Sequence, residues 1–195
     1  MGIGKIVALG IAMAGLAVGG AKANLLVNGS FETGDFTGWT TGGNFSFTEV
    51  TSGDYCNSYG CFGAEQGTYY VFEGPVGSDG TLSQTFADTA GATLYVSGWL
   101  IGNGTSASDF NMSIDGTTYV SVNPVPEQVW TEYTFSVTAT GTDTFTVGFR
   151  NDPSYDGLDN FVVSYTPFTV PEPATLALLG TGLVGLGLVR RTRRG

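Results

Sequence analysis

The sequence predicts an all-β protein, a two-sheet jelly-roll sandwich carried between two apolar terminal segments. Three observations predict it. Short runs of β-branched and aromatic residues recur through the middle of the 195-residue chain, separated by Gly, Asn, Asp and Ser. Several runs alternate with a period of two: Phe145, Val147 and Phe149 fall on one face, Thr144, Thr146, Gly148 and Arg150 on the other. No stretch of residues 24–169 keeps a helical period, and no internal repeat is present. About ten short strands in about 145 residues suit two packed sheets.

The elements follow in chain order. Lys5 opens an apolar run over residues 6–18, which closes on Ala21-Lys22-Ala23, the small-x-small pattern cut by signal peptidase. The run has no polar face, so it reads as a signal-peptide helix rather than an amphipathic first helix. Residues 1–23 are the predicted leader, and Asn24 the first mature residue. No Cys follows the cut, so a lipid anchor is not indicated. Strands are expected at 25–31, 45–50, 68–72, 81–86, 93–101, 110–114, 118–122, 129–138, 144–150 and 158–165, making residues 24–169 one β-sandwich domain. Asp115-Gly116, between two alternating runs, is a two-residue hairpin turn.

Export implies an oxidising compartment. Cys56 and Cys61 frame Asn57-Ser58-Tyr59-Gly60, and a pair this close should form a disulfide closing a small loop that displays Tyr55 and Tyr59. Charge narrows the function further. The chain carries 17 acids and 7 basic residues, yet from Asn24 to Val170 the only basic residue is Arg150, set against 16 acids. A body of charge −15 repels phosphate backbones, so no nucleic-acid partner is expected. With no His, Ser-His-Asp and Cys-His catalysis are unavailable, and two Cys alone make no structural zinc site. No nucleophile elbow, P-loop or dinucleotide fingerprint occurs, and the protein is expected not to be an enzyme.

The C-terminus reads Val170-Pro171-Glu172-Pro173, then an apolar stretch over 174–189, then Arg190-Arg191-Thr192-Arg193-Arg194. Sixteen residues make about 24 Å of helix, slightly short for a hydrocarbon core of about 30 Å. The arginines belong on the cytoplasmic side. A plain tail anchor would look similar, but this ending of motif, helix and basic cluster over residues 170–195 closely resembles the PEP-CTERM sorting signal of exopolysaccharide-producing Gram-negative bacteria. That resemblance implies a transmembrane helix holding a precursor in the inner membrane, an exosortase as processing partner, and a mature body at the cell surface or in the extracellular matrix.

A second resemblance concerns the body. Asn24-Leu25-Leu26-Val27-Asn28-Gly29-Ser30-Phe31-Glu32, followed by Gly38-Trp39, looks like the first strand of galactose-binding-like jelly rolls, of which carbohydrate-binding modules are members. Gly157-Leu158-Asp159-Asn160-Phe161-Val162-Val163 is similar to their last strand, with Asn160 where a second Asp is usual. The resemblance implies a structural calcium ion (Ca2+) held in part by Glu32 and Asp159, and calcium would take such hard oxygens. Among the large aromatics, Trp99 is the leading candidate for sugar stacking. Tyr95, Ser97 and Trp99 alternate away from Leu94, Val96 and Leu100, giving a mixed face suited to a ligand. Each aromatic taken singly is more at home in a core, since Trp is highly buried on average. Arg150 would either clamp an acidic sugar or pair with a nearby acid such as Asp152 or Asp109. The functional expectation is an exported surface or matrix protein that binds exopolysaccharide, with a purely structural matrix role or a permanently anchored domain as alternatives.

Overall fold

A computed structural model describes residues 23–168. Twelve strands run through them: β1 (Thr40–Gly43), β2 (Glu49–Thr51), β3 (Tyr55–Asn57), β4 (Gly60–Phe62), β5 (Tyr70–Glu73), β6 (Gly80–Ala87), β7 (Thr93–Asn103), β8 (Ala107–Ile114), β9 (Thr117–Val122), β10 (Glu127–Thr138), β11 (Thr142–Asp152) and β12 (Asp156–Ser164). Sheet one has the order β1-β6-β11-β8-β9, sheet two β10-β7-β12-β5-β2, and β3-β4 form a separate ribbon. Every pairing is antiparallel.

The alternation read from the sequence decides which faces meet. Leu82, Phe110, Met112, Phe145, Val147 and Phe149 from sheet one pack against Leu94, Val96, Leu100, Leu158, Phe161 and Val163 from sheet two. All twelve are essentially sealed from solvent. Asp115 and Gly116, at φ 49° and 75°, turn β8 into β9. Among the described residues no helix is long and apolar enough to cross a membrane.

The expected first strand, residues 25–31, is instead a run of turns. Asn28 and Phe31 take φ values of 53° and 56°, which no regular ladder accommodates. The segment still lies beside the last strand, through Leu25 N–H to Val163 O at 2.8 Å and Phe161 N–H to Gly29 O at 2.8 Å. Two side-chain amides replace the missing ladder. Asn24 Nδ2 donates to Phe161 O at 2.8 Å while its Oδ1 accepts from Val163 N–H at 2.9 Å. Gln84 of β6 does the same for Val27, accepting its N–H at 2.6 Å and donating to its carbonyl at 2.9 Å. Gly29 has to be glycine here, because a Cβ would run into the Phe161 carbonyl.

Residues 45–50 also fall short of a full strand, with only Glu49–Thr51 paired to β5. The ribbon was read from the sequence only as a closed loop. Cys56 and Cys61 stand directly opposite each other in it and form the expected disulfide. Its presentation differs from expectation. Tyr55 is buried against Phe72 and donates its hydroxyl hydrogen bond to Tyr155 O at 3.0 Å, so only Tyr59, 62% exposed, is displayed. The two aromatics lie in different settings because Tyr55 begins β3, on the side packed against sheet two, and Tyr59 sits in the turn.

Candidate functional site

Sheet two keeps its inner face for the core and carries a hollow of about 460 Å³ on its outer face. Strand β7 supplies the centre. Leu94, Val96 and Leu100 point inward and are fully buried, while Ser97 and the half-buried Trp99 line the hollow. Val162 and Phe168 extend its apolar surface, and Asn24, Ser30, Gln66, Glu132 and Asn160 ring it with hydrogen-bonding groups. Tyr95 is half-buried, four residues before Trp99 in β7, and lies outside this hollow.

A bulge shapes the site. Trp99 stands opposite Asp159 in the β7–β12 ladder, and beyond that pair the register slips before Val162 resumes it opposite Ser97. Asn160 absorbs the extra residue at φ 48°, a conformation that Asn tolerates better than most side chains. Its amide then donates to Glu65 Oε2 at 2.9 Å and reaches the hollow. The departure from the usual Asp at this position therefore has a local use.

Glu32 and Asp159 converge on one loop, residues 65–69. Asp159 Oδ2 accepts the Gln66 N–H at 3.0 Å and Oδ1 accepts the Asn160 N–H at 2.6 Å. Glu32 accepts from Thr68 N–H at 2.9 and 3.1 Å and from Tyr69 N–H at 2.9 Å. Gly67, at φ 76°, passes so near the Glu32 carboxylate that only glycine fits. Backbone N–H groups aimed at both carboxylates are the environment of an anion, and they repel a cation. As placed, Glu32 and Asp159 do not fit a calcium ion. They act as acceptors that fix the rim of the Trp99 hollow. Burial pushes the Asp159 carboxyl up to about 7, against the opposing pull of the Gln66 and Asn160 N–H bonds.

Arg150 lies elsewhere. It is on the outer face of sheet one, directly opposite Asp109 in the β11–β8 ladder, with Nη2 at 3.8 Å from Asp109 and Nε at 3.6 Å from Asp79. Asp152 is not its partner and accepts the Gly77 N–H at 3.2 Å. Arg150 and Trp99 thus belong to opposite faces of the sandwich. Trp39 is a core residue stacked on Phe31, and Trp130 packs on Tyr70 with its indole N–H on Gly63 O at 2.9 Å. The sequence does not single out Asn24, Ser30, Gln66, Glu132 or Asn160 as ligand-binding residues, although Asn24 is expected at the leader cleavage. Asn24, Ser30 and Asn160 lay inside the motifs quoted for the fold, whereas nothing in the sequence marked Gln66 or Glu132.

Residues 169–194 match the PEP-CTERM protein-sorting motif. The PEP-CTERM match includes Pro171, Glu172 and Pro173 and marks an exported protein with a C-terminal membrane-anchor signal. Those three residues, the expected transmembrane helix, and Ala21 in the leader lie outside the described residues, whereas Ala23 and Asn24 are described and exposed. The sandwich is similar to the structure of TmCBM61 in complex with β-1,4-galactotriose, at 21% identity and a TM-score of 0.58, over 74% of this chain and 99% of that one. It is also similar to the enzymatically active domain of bacteriophage CBA120 tailspike protein 4, at 14% identity and a TM-score of 0.52, over 73% of this chain but only 21% of that one. The xylan-binding CBM22-1 domain of Paenibacillus barcinonensis Xyn10C matches at 18% identity and a TM-score of 0.48, over 76% and 99% of the two chains. No curated protein matches the chain. The fold is the jelly roll of carbohydrate-binding modules.

Proposed function

We propose that the protein is an exported, non-catalytic surface protein whose sandwich binds a neutral glycan on the outer face of sheet two. The Trp99 hollow carries this reading. An indole presented at a sheet surface offers a flat apolar plane to the C–H face of a sugar ring, and the surrounding amides, hydroxyls and Glu132 suit sugar hydroxyls. Charge selects the class of glycan. The hollow holds an acid and no cation, and Arg150 is paired on the opposite face, so uronates are disfavoured. The β-1,4-galactotriose of the TmCBM61 complex is a neutral sugar, which supports the same class.

The PEP-CTERM tail supports a route to that role. Signal peptidase releases the leader, the C-terminal helix holds the precursor in the inner membrane of a Gram-negative cell, and an exosortase removes the tail, delivering the body to the surface or exopolysaccharide matrix. Affinity electrophoresis of the exported chain in gels containing β-1,4-galactan or the host exopolysaccharide tests the binding. Wild type should be retarded, and Trp99→Ala should weaken binding by about tenfold or more without lowering the melting temperature. Wild type running unretarded in every neutral glycan would remove the binding reading and leave a passive matrix role. Intact mass from hosts with and without an exosortase tests the processing.

A further inference from the structure

Glu73 and Asp156 face each other across the β5–β12 ladder. Alternation puts Glu73 on the same side of β5 as Val71 and Asp156 on the same side of β12 as Leu158, so both carboxylates point between the sheets. Both residues are 0% exposed. Asp156 Oδ1 accepts the Asn103 N–H at 3.2 Å. Asp156 Oδ2 and both Glu73 oxygens accept no hydrogen bond from any described residue. This contrasts with Glu32 and Asp159, whose oxygens are taken up by backbone N–H groups.

Two adjacent carboxylates buried without donors or a counter-charge would cost several kcal/mol. The only Lys or Arg among the described residues, Arg150, is paired with Asp79 and Asp109 on the other side of sheet one. The polar groups nearby are mostly oxygens or amides. Asn103 bonds Ser154, Thr105 and Asn151, and the Tyr55 phenol is pushed up by burial and by the negative charges of Asp156 and Glu73. A hollow of about 150 Å³ is lined by Asp54, Tyr55, Asn103, Ser154 and Tyr155, among them a chain neighbour and a bonding partner of Asp156, and by neither carboxylate.

We propose that Glu73 and Asp156 hold a divalent cation, calcium by the chemistry of the site. The donors on offer are hard oxygens with no His or thiolate, which suits calcium over zinc or copper. No third acid joins them among the described residues, so neutral oxygens complete the shell. The ion supplies the positive charge that the interior otherwise lacks. It also ties β5 to β12 at the end of the sandwich where Asn103 leaves β7.

Melting of the full-length chain in detergent, in millimolar calcium chloride and in EGTA, tests the site with calcium alone as the probe. Calcium should raise the wild-type melting temperature by about 5 °C. Glu73→Gln should lose most of that rise while melting in EGTA at or above wild type, because it removes a buried charge. Asp159→Asn should keep the rise. Terbium emission sensitised by nearby tyrosine should follow the same pattern across the three chains. Three results overturn the proposal: no calcium shift in wild type, a shift that persists in Glu73→Gln, or a shift lost only in Asp159→Asn. The first, with Glu73→Gln stabilised, would assign a shared proton to the pair. The last would return the ion to Glu32 and Asp159.

Discussion

The two outer faces of this sandwich are built from strands of similar length and serve different ends. On sheet one, the central β6–β11 and β11–β8 ladders run without a register slip, and β11 turns the partly exposed Thr144, Thr146 and Arg150 outward. On sheet two, both ladders of β7 slip, at Gln128–Thr131 against β10 and at Asp159–Val162 against β12. Regular ladders give a flat polar face with nowhere to hold a ligand. Bulges re-aim side chains, and here they accompany the docking of the 65–69 loop beside Trp99 and of the disulfide ribbon on Gly102 and Gln128. The irregular face is the functional candidate because its irregularities are fixed by specific hydrogen bonds.

The sharpest way to break this contrast is to remove the acceptor beneath the loop. Asp159→Ala strips Gln66 and Asn160 of their shared carboxylate inside a site with no exposure. Unfolding in urea should show a loss of about 3–4 kcal/mol, with Trp99 fluorescence shifting to the red. A loss below about 1 kcal/mol would mean the loop is held by other contacts.

Acidity probes the same residue with a smaller effect. Burial raises the Asp159 carboxyl to about 7 from an ordinary value of 3.8, so the folded chain keeps a proton that the unfolded chain releases. Its contribution is complete below the ordinary value and fades as pH rises towards 7. Between about pH 4 and pH 8 this amounts to on the order of 2–3 kcal/mol. Urea midpoints measured across that range should fall with rising pH in wild type, and fall less steeply in Asp159→Asn. Equal slopes would show that Asp159 titrates normally.

The ribbon is the next contributor. Replacing Cys56 and Cys61 together by Ser reopens a small loop and should cost about 2 kcal/mol. Asn57 Nδ2, bonded to Gly102 O at 3.0 Å and Gln128 O at 2.9 Å, should keep the ribbon near β7 and β10, so the Trp99 hollow should survive. Glycan retention lost together with the disulfide would instead join the ribbon to the site.

What the sequence made legible follows from the range of the forces involved. Period-two alternation is local, and it placed Phe145, Val147, Phe149 and the outward Trp99 correctly. Nearest-neighbour turn chemistry gave the Asp115-Gly116 hairpin. The failures involve partners far apart in the chain. Residues 25–31 look like a strand by composition, but the Asn24 side chain pairs with the Phe161 backbone 137 residues away, and the Gln84 side chain with the Val27 backbone 57 residues away. The roles of Glu32 and Asp159 depended on whether carbonyls or N–H groups of the 65–69 loop faced them, and no residue pattern encodes that choice. Glu73 and Asp156 escaped notice because an acid in a short strand reads as solvent-facing unless the neighbouring sheet covers it.

Arg150 offers the smallest effect and the cleanest separation of the two faces. Its ion pairs to Asp79 and Asp109 are long, at 3.6 and 3.8 Å, and Asp79 is half-exposed. Pairs of this kind contribute at most about 1 kcal/mol. Crowding of Asp79 and Asp109 pushes in the same direction as Arg150's removal, since burial and then the Asp79 charge already raise the Asp109 carboxyl while Arg150 lowers it. Arg150→Ala should therefore lower stability by no more than about 1 kcal/mol, with the loss shrinking as salt screens the acids. Retention in neutral glycan gels should stay at the wild-type level. Should Arg150→Ala abolish retention, the binding surface would be the regular face of sheet one, and the bulges of sheet two would be structural alone.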